Sequence, residues 1–227
     1  MMSLDPRLSL ALSMYDRCAL AADIGTDHAY LPAALLLSGR CDRMIITDKS
    51  LSALEHARST IAACGLEDRV SVILGDGLEP LDTRCSMISI MGMGGRNISG
   101  ILRRGSAHLC GAALLLSCHS DLPELRRGIM EAGYHITAEE PCLSSGRYYL
   151  ILRAEKGCQK LSDIQLRTGV KLLCSRSPEL KGYLARRREI IIKAVSGARK
   201  AVDPSYTCAS ELGSELDFYD AALAKLP

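Results

Sequence analysis

Four short segments in this chain could bind a ligand, and each follows an apolar run; they contain Asp23 and Gly25, Asp48, Asp76 and Gly77, and Gly92-Met93-Gly94. The first is Asp23-Ile24-Gly25-Thr26-Asp27-His28, which combines two carboxylates, an imidazole and a glycine. A glycine lets the backbone approach a ligand closely, and acidic side chains attract a positively charged group. We therefore expect Asp23, Gly25, Asp27 and His28 to line a ligand site.

The next two segments carry groups that suit the sugar and base of a nucleoside. Asp48 lies 23 residues after Gly25, where a carboxylate can accept hydrogen bonds from both ribose hydroxyls. Asp76 is expected to accept a hydrogen bond from an adenine amino group, and Gly77 would let the ring approach. Alternatively, Asp48 could cap the helix that follows, and Asp76 could belong to an ordinary turn.

The acidic groups argue against a pyridine or flavin dinucleotide. Such a ligand needs G-x-G-x-x-G after the first strand, but this chain has only Gly25 there and places Asp27 where a pyrophosphate would lie. A ligand with a cationic amino group or a sulfonium fits better, and S-adenosylmethionine has both. The predicted cofactor-binding residues are Asp23, Gly25, Asp27, His28, Asp48, Asp76, Gly77, Gly92 and Met93.

Strand-like and helical segments alternate over roughly the first 150 residues, as is typical of a doubly wound, mostly parallel α/β sheet. Strands are predicted at 18–24, 44–47, 70–74, 87–91 and 112–116, with an antiparallel hairpin formed by 135–139 and 148–153. Helices are predicted at 4–15, 30–38, 51–64, 95–104 and 122–132. In a parallel sheet the carboxyl ends of the strands share one edge, so the polar segments should meet there.

Beyond residue 153 the pattern becomes helical, with helices predicted at 161–174, 178–202 and 210–226. Residues 153–200 carry a net charge of +9, which suggests a polyanionic partner, although a solvated helix face is the alternative. We expect residues 1–155 to form the cofactor-binding domain and residues 156–227 to form a small, coiled-coil-like, basic helical domain.

The ten cysteines are predicted to be reduced and mostly structural. There is no C-x-x-C pair, so no metal ion is expected. No apolar run is long enough to span a membrane, and the N-terminal residues lack a signal-peptide pattern. The expected location is the cytoplasm, and the expected assembly is a monomer or weak dimer.

The chain resembles the bacterial tRNA (adenine-22-N1)-methyltransferase family. The matching motifs are Asp23-Ile24-Gly25-Thr26-Asp27-His28-Ala29-Tyr30-Leu31-Pro32, Gly75-Asp76-Gly77-Leu78, Gly92-Met93-Gly94-Gly95 and Gly146-Arg147-Tyr148-Tyr149. The resemblance implies a Rossmann-like methyltransferase domain, S-adenosylmethionine as methyl donor, and transfer to N1 of an adenine in tRNA. The chain departs from the family at Ser117-Cys118-His119, where Gln-Pro-Asn is usual.

Methylation of a ring nitrogen requires mainly positioning and a group that stabilises the developing positive charge. Asp27 is the first candidate for that group and His28 the second, although both could simply bind the methionine portion or fix the turn. The predicted tRNA contacts are Gly94, Arg96, Arg126, Arg147, Tyr148, Arg186 and Arg187.

Three other functions remain open. A cytosine-C5 methyltransferase needs a cysteine nucleophile near the strand ends, and Cys118 lies there, just after the fifth predicted strand. A small-molecule methyltransferase would not need the basic tail. A cofactor-binding RNA-binding module without turnover is the third, and the set of acids at successive strand ends argues against it.

Overall fold

The computed structural model describes residues 4–198 and 206–226, except for the side chains of residues 197, 198 and 206–210. Its centre is a seven-stranded sheet in the order β3-β2-β1-β4-β5-β7-β6. The strands are β1 (Cys18–Ile24), β2 (Cys41–Asp48), β3 (Val70–Leu74), β4 (Met87–Met93), β5 (Ala113–Cys118), β6 (Tyr134–Ser144) and β7 (Arg147–Lys156). Strands β1 to β5 are parallel, and β7 runs antiparallel to both β5 and β6.

Helices connect and cover the strands, which confirms the predicted doubly wound fold. They are α1 (Pro6–Ser13), α2 (Tyr30–Leu37), α3 (Leu51–Ala63), α4 (Gly95–Arg104), α5 (Leu122–Glu131), α6 (Asp163–Thr168), α7 (Leu180–Ala198) and α8 (Tyr206–Ala224). Within the described ranges, none of these helices is both long and apolar enough to cross a lipid bilayer.

Local sequence signals explain where several elements begin. Asp5 accepts a hydrogen bond from the Leu8 amide (2.8 Å) and Pro6 occupies the first turn, so α1 starts where capping chemistry predicts. The β6–β7 turn has positive φ at both Ser145 (49°) and Gly146 (74°), as a two-residue type I′ turn requires. This turn extends the hairpin beyond the predicted strands on both sides.

The sheet is buried by two hydrophobic clusters. The smaller one includes Ala11 of α1, Leu35 of α2 and Leu54 of α3, together with Tyr15, which follows α1. The larger one includes residues of α4 and α5 and continues into Leu184 of α7 and Tyr219 of α8. The C-terminal helices therefore bury apolar side chains against the same core as the sheet, and burial of this kind is what holds helices in place in a folded chain.

The predicted helix at 161–174 is wrong, because the chain breaks at Gly169. Helix α6 covers only Asp163–Thr168 and begins at a capping box formed by Ser162 and Gln165. Gly169 has φ +97°, a conformation that other residues rarely adopt, and a short 3-10 turn follows at Leu172–Cys174. Part of the predicted 178–202 helix lies outside the described residues.

Candidate functional site

The carboxyl ends of β1, β2, β3 and β4 meet at one edge of the sheet, as the alternating pattern predicts. A cavity of about 380 Å³ opens there, and we call it the first cavity. Its lining includes Gly25, Asp48, Asp76, Gly77, Met93 and Arg96. Residues that are far apart in sequence thus share one pocket, and a cavity of this size fits a small ligand.

The two acids of the first cavity also make contacts within the protein. Asp48 accepts a hydrogen bond from the Ser50 amide (2.8 Å), and Ser50 itself caps α3. Asp76 lies 3.2 Å from the Arg104 guanidinium. The cap of α3 is therefore Ser50 and not Asp48, whose carboxylate holds the turn before this helix and also lies in the cavity wall.

Gly25 and Met93 form the floor between β1 and β4. Gly25 has φ +75°, and a Cβ atom there would lie 2.0 Å from the Met93 Cε atom. A β-bulge between Met91 and Met93, with φ +78° at Gly92, turns this part of β4. The end of the Met93 side chain can move aside, so the positive φ is the main reason for a glycine at position 25.

Asp23 is buried and fixes the turn after β1. It lies opposite Ser89 in the sheet register, and the hydroxyls of Ser89 and Thr26 each donate a hydrogen bond to its carboxylate. Burial raises the pKa of Asp23 to about 6, despite these two hydrogen bonds, because a charged carboxylate loses its hydration there.

A second cavity, of about 340 Å³, lies on the other side of this turn. Its lining includes Arg7, Asp23, Asp27, His28, Tyr30 and Gly92. The Asp27 carboxylate is exposed and contacts two imidazoles, those of His28 (3.3 Å) and His56 (3.4 Å). His56 lies on α3, and sequence reasoning missed it because nothing in the local pattern links position 56 to position 27.

A third cavity, of about 530 Å³, lies between the end of β5, the β6–β7 hairpin and α7. Its lining includes His119, Arg147, Tyr148, Tyr183, Arg186 and Arg187. The rings of Tyr148 and Tyr183 meet edge to face with centroids 6.2 Å apart. The His119 amide donates to the Met93 carbonyl (3.1 Å), so this cavity adjoins the first one.

The predicted tRNA-contact residues do not lie in a single cavity. Arg147, Tyr148, Arg186 and Arg187 line the third cavity. Arg96 lines the first cavity and lies 3.6 Å from Asp121, while a Cβ at Gly94 would lie 3.1 Å from the Ser120 hydroxyl. Arg187 is partly covered by its pair with Glu215, and Arg186 pairs with Glu189.

The prediction that Arg126 contacts RNA is wrong. Arg126 is 1% exposed and donates to the fully buried Glu139 (2.7 Å). It also donates to the carbonyls of Leu166 (2.7 Å) and Arg167 (3.1 Å). A charge this buried needs an ion partner and hydrogen bonds, and both are supplied from within the protein.

Cys118, the nucleophile of the cytosine alternative, is also buried. Desolvation raises the pKa of its thiol to about 11, so the thiolate that would attack a pyrimidine is scarce near neutral pH. This environment disfavours covalent catalysis by Cys118.

Comparisons with known proteins agree with this architecture. The family model described as "Methyltransferase domain" matches residues 4–152. The tRNA (adenine(22)-N(1))-methyltransferase of Bacillus subtilis (strain 168) is 31% identical over 158 residues, which are 69% of this chain and 66% of that protein. The alignment therefore covers just under two thirds of that relative.

Solved structures match over nearly the whole chain. Streptococcus pneumoniae Sp1610, a candidate tRNA (m1A22) methyltransferase, has 29% identity and a TM-score of 0.85, over 98% of this chain and 100% of that one. The same protein in complex with S-adenosyl-L-methionine gives a TM-score of 0.83, with the same identity and coverage. A Streptococcus agalactiae protein of the NADB-Rossmann superfamily is 26% identical, with a TM-score of 0.85 and 98% coverage of both chains.

Proposed function

We propose, from the premise that this chain belongs to the methyltransferase-domain family, that it methylates N1 of adenine 22 in tRNA with S-adenosylmethionine. The observation that carries the proposal is the set of acids and glycines at successive strand ends, where they line two adjoining cavities. The specific reaction is that of the Bacillus subtilis relative, whose name gives the target base. A tRNA substrate would place this activity in the cytoplasm.

The first cavity fits the nucleoside part of the donor. Asp48 would accept from the ribose hydroxyls and Asp76 from the adenine amino group, with Gly77 leaving room for the ring. The Thr47 hydroxyl donates to the Gly77 carbonyl (3.1 Å) and so holds that backbone in place. When bound, S-adenosylmethionine supplies an electrophilic methyl group on a sulfonium.

The turn after β1 fits the positively charged end of the donor. Asp23 and Asp27 both line the second cavity, and Gly25 lines both this cavity and the first. Burial alone disfavours the ionised form of the Asp23 carboxylate. A cationic amino group beside it would favour that form. These residues therefore offer negative charge where a cation has to lie.

The acceptor chemistry asks little of the protein beyond positioning. N1 of adenine has an in-plane lone pair, and the methylated ring is cationic until it loses a proton from N6. A carboxylate near that edge would stabilise the developing charge, and the exposed Asp27 is the group we propose, with His28 beside it. N1 lies on the Watson–Crick edge, so the base has to be unpaired or extruded first.

The third cavity is the proposed contact surface for the RNA. It adjoins Met93 through the His119 amide, and it combines cationic and aromatic side chains. Arg147 and Arg186 supply positive charge for phosphates, and Tyr148 offers a ring on which a base can stack. We also propose that residues 1–155 bind the donor and that residues 156–227 contact RNA together with Arg147 and Tyr148 of the hairpin.

A labelling experiment separates this proposal from its rivals. The purified protein is incubated with methyl-labelled S-adenosylmethionine and total bacterial tRNA, and the nucleosides are separated after digestion. We expect label only in 1-methyladenosine. Label in 5-methylcytosine would favour the cysteine mechanism, and an unlabelled tRNA pool with measurable donor binding would indicate a binding module.

The RNA surface has its own test. Replacing Arg147 and Arg186 together with alanine should weaken tRNA binding and lower the slope of log affinity against log salt by roughly one for each lost phosphate contact. The matched control is Arg188→Ala, because Arg188 pairs with Asp220 and is outside the third cavity. Equal effects in the double variant and the control would contradict this surface.

A further inference from the structure

We propose that Asp27, His28 and His56 form a binding site for a divalent transition-metal cation of the zinc class. Their potential ligand atoms all lie within 4.8 Å of one another. Asp27 and His28 come from the turn after β1, whereas His56 comes from α3, so the site joins two elements. Two imidazoles and one carboxylate are a donor set that Zn²⁺ accepts, with water completing the coordination.

The distances in the cluster are long for charge-assisted hydrogen bonds and are compatible with ligands that share one ion. The Asp27 carboxylate oxygens lie 3.3 Å from His28 Nε2 and 3.4 Å from His56 Nδ1. Ligands about 2.1 Å from a tetrahedral ion are separated by about 3.4 Å. A charge-assisted hydrogen bond is shorter, about 2.7–2.9 Å. The two measured separations, which involve different oxygens of the Asp27 carboxylate, are therefore close to those between ligands of a tetrahedral ion.

The side chains have the freedom to close around an ion. The imidazole rings of His28 and His56 are stacked, with centroids 5.1 Å apart and an interplanar angle of 18°. One ring has to turn before both nitrogen lone pairs point at one ion. The side chains of Asp27, His28 and His56 are 66%, 47% and 55% exposed, which leaves room for this rotation.

The sequence predicts no metal because its cysteines lack metal-binding spacing. His56 lies 28 positions after His28, and no zinc motif has that separation. The site becomes visible only when the fold brings the first turn of the sheet next to α3. Local sequence therefore could not predict this metal site, which depends on residues that are close only in space.

Occupation of the site would have a consequence for catalysis, and this part rests on the proposed function. A bound cation would engage Asp27 and His28, the groups proposed to stabilise charge on the adenine. It would also place positive charge where the reaction itself develops positive charge. Zinc is therefore expected to inhibit methyl transfer reversibly, with activity restored by a chelator.

Direct binding tests the site without any assay of activity. Metal-free, fully reduced protein is dialysed against Zn²⁺, and bound zinc is measured for the wild type, His56→Gln and the control His119→Gln. His119 is an exposed histidine outside the cluster. We expect a single equivalent of zinc in the wild type and the control, and at least about tenfold weaker binding in His56→Gln.

Cobalt(II) distinguishes this site from the exposed thiols of Cys110, Cys158 and Cys174. Imidazole and carboxylate ligands give visible d–d bands without the strong ultraviolet charge-transfer band of a thiolate. The proposal is overturned if the wild type binds no zinc, if His56→Gln binds it equally well, or if the cobalt spectrum shows thiolate ligation. Circular dichroism of His56→Gln checks that the variant is folded.

The activity arm is kept separate from the binding arm. Zinc inhibition is expressed relative to each protein's own zinc-free rate, and His56→Gln should need at least about tenfold more zinc for the same inhibition. Zinc binding without inhibition would support the metal site and would contradict the proposal that Asp27 stabilises charge on the adenine. An inactive enzyme that binds zinc as expected would contradict the proposed function alone.

Discussion

At the residue scale, the buried Asp23 carboxyl shows how one side chain can serve both the fold and a ligand. Two hydroxyl groups donate to it and fix the turn, yet burial raises its pKa to about 6. A small change in local charge therefore changes its ionisation.

Donor binding should depend on pH through Asp23. Its pKa is raised in the folded protein, so the carboxyl becomes neutral as pH falls below about 6. A cationic ligand prefers the ionised form, so affinity for S-adenosylmethionine should fall by up to about tenfold per pH unit below that value. Calorimetric titration between about pH 5 and about pH 8 measures this dependence.

The control for this pH effect is Asp23→Asn. It should bind the donor more weakly near neutral pH and show a flatter profile across the same range. An unchanged profile in Asp23→Asn would mean that another group causes the dependence.

Replacing Asp27 tests its catalytic role. Asp27→Asn keeps the shape of the side chain and removes its charge, so the rate constant for methyl transfer should fall by about 10²-fold or more. Single-turnover kinetics with tRNA measure that step, and donor affinity is measured separately. Near-normal turnover with unchanged donor affinity would assign Asp27 to the turn alone.

Individual residues were predictable where a local pattern defined them. Asp48, Asp76 and Gly25 end apolar runs, and the parallel sheet brings those ends together. Arg126 and His56 could not be assigned in this way. The sequence around Arg126 predicts a surface cation, and only the fold shows that Glu139 lies beside it. His56 contacts Asp27 only because α3 packs next to the turn after β1.

At the element scale, the start of α4 is held tightly against the turn after β5. The Gly95 amide donates to the Ser120 carbonyl (2.9 Å), and a Cβ at Gly95 would lie 2.2 Å from the Asp121 carbonyl oxygen. Backbone cannot yield as a flexible side chain does. This contact fixes the position of the Gly92–Gly95 segment relative to the third cavity.

Gly95→Ala should therefore reduce both stability and turnover. Overpacking against backbone costs about 1–3 kcal/mol, and the displacement would reach Met93. Urea unfolding gives the free-energy change. Gly213→Ala is the matched control, since its Cβ would meet no described heavy atom within 4 Å and its effect should stay within about 1 kcal/mol. Equal, small effects at both glycines would contradict the tight contact.

Strand and helix positions were largely predictable, and the exceptions have a physical cause. Strands β1 and β3 begin and end where their apolar runs do. The break at Gly169 has a local cause, the positive φ of the glycine that ends α6, and a tertiary cause that the sequence does not show. A Cβ there would lie 2.6 Å from Glu139 Oε2 and 3.0 Å from an Arg126 nitrogen, both brought from other elements.

At the scale of the whole molecule, one buried polar network connects the sheet to the C-terminal segment. The Glu139 carboxylate accepts from Arg126 and from the amides of Val170 (2.7 Å), Lys171 (2.7 Å) and Leu172 (3.1 Å). Charge and hydrogen bonding are both satisfied, which is the condition under which an ion pair tolerates burial.

Removing one partner of this network should be costly. Arg126→Met leaves Glu139 as a buried charge without its ion partner, and the free energy of unfolding should fall by about 3–5 kcal/mol. Chemical denaturation measures it. The neighbouring Arg127→Met is the control, because the Arg127 side chain is 43% exposed and its ion pair with Glu124 spans 3.7 Å. A loss as small as that of the control would contradict the structural role of the pair.

The overall architecture follows from the alternation of strands and helices, but the attachment of the last helices does not. The sequence predicts a basic helical appendage. The structure places Leu184 and Tyr219 in the same hydrophobic cluster as β4 and β5, a long-range packing that no local pattern encodes. The positive charge of this segment then faces the third cavity through Arg186 and Arg187.

The central claim is that this fold presents a sulfonium donor to N1 of a single tRNA adenine. The most direct test compares two transcripts of one tRNA, with adenine or guanine at position 22, after incubation with labelled S-adenosylmethionine. We predict one methyl group per adenine-22 transcript, mapped to N1 of that base, and none on the guanine-22 transcript. Equal methylation of both transcripts, or none of either by a protein that binds the donor, would contradict the account.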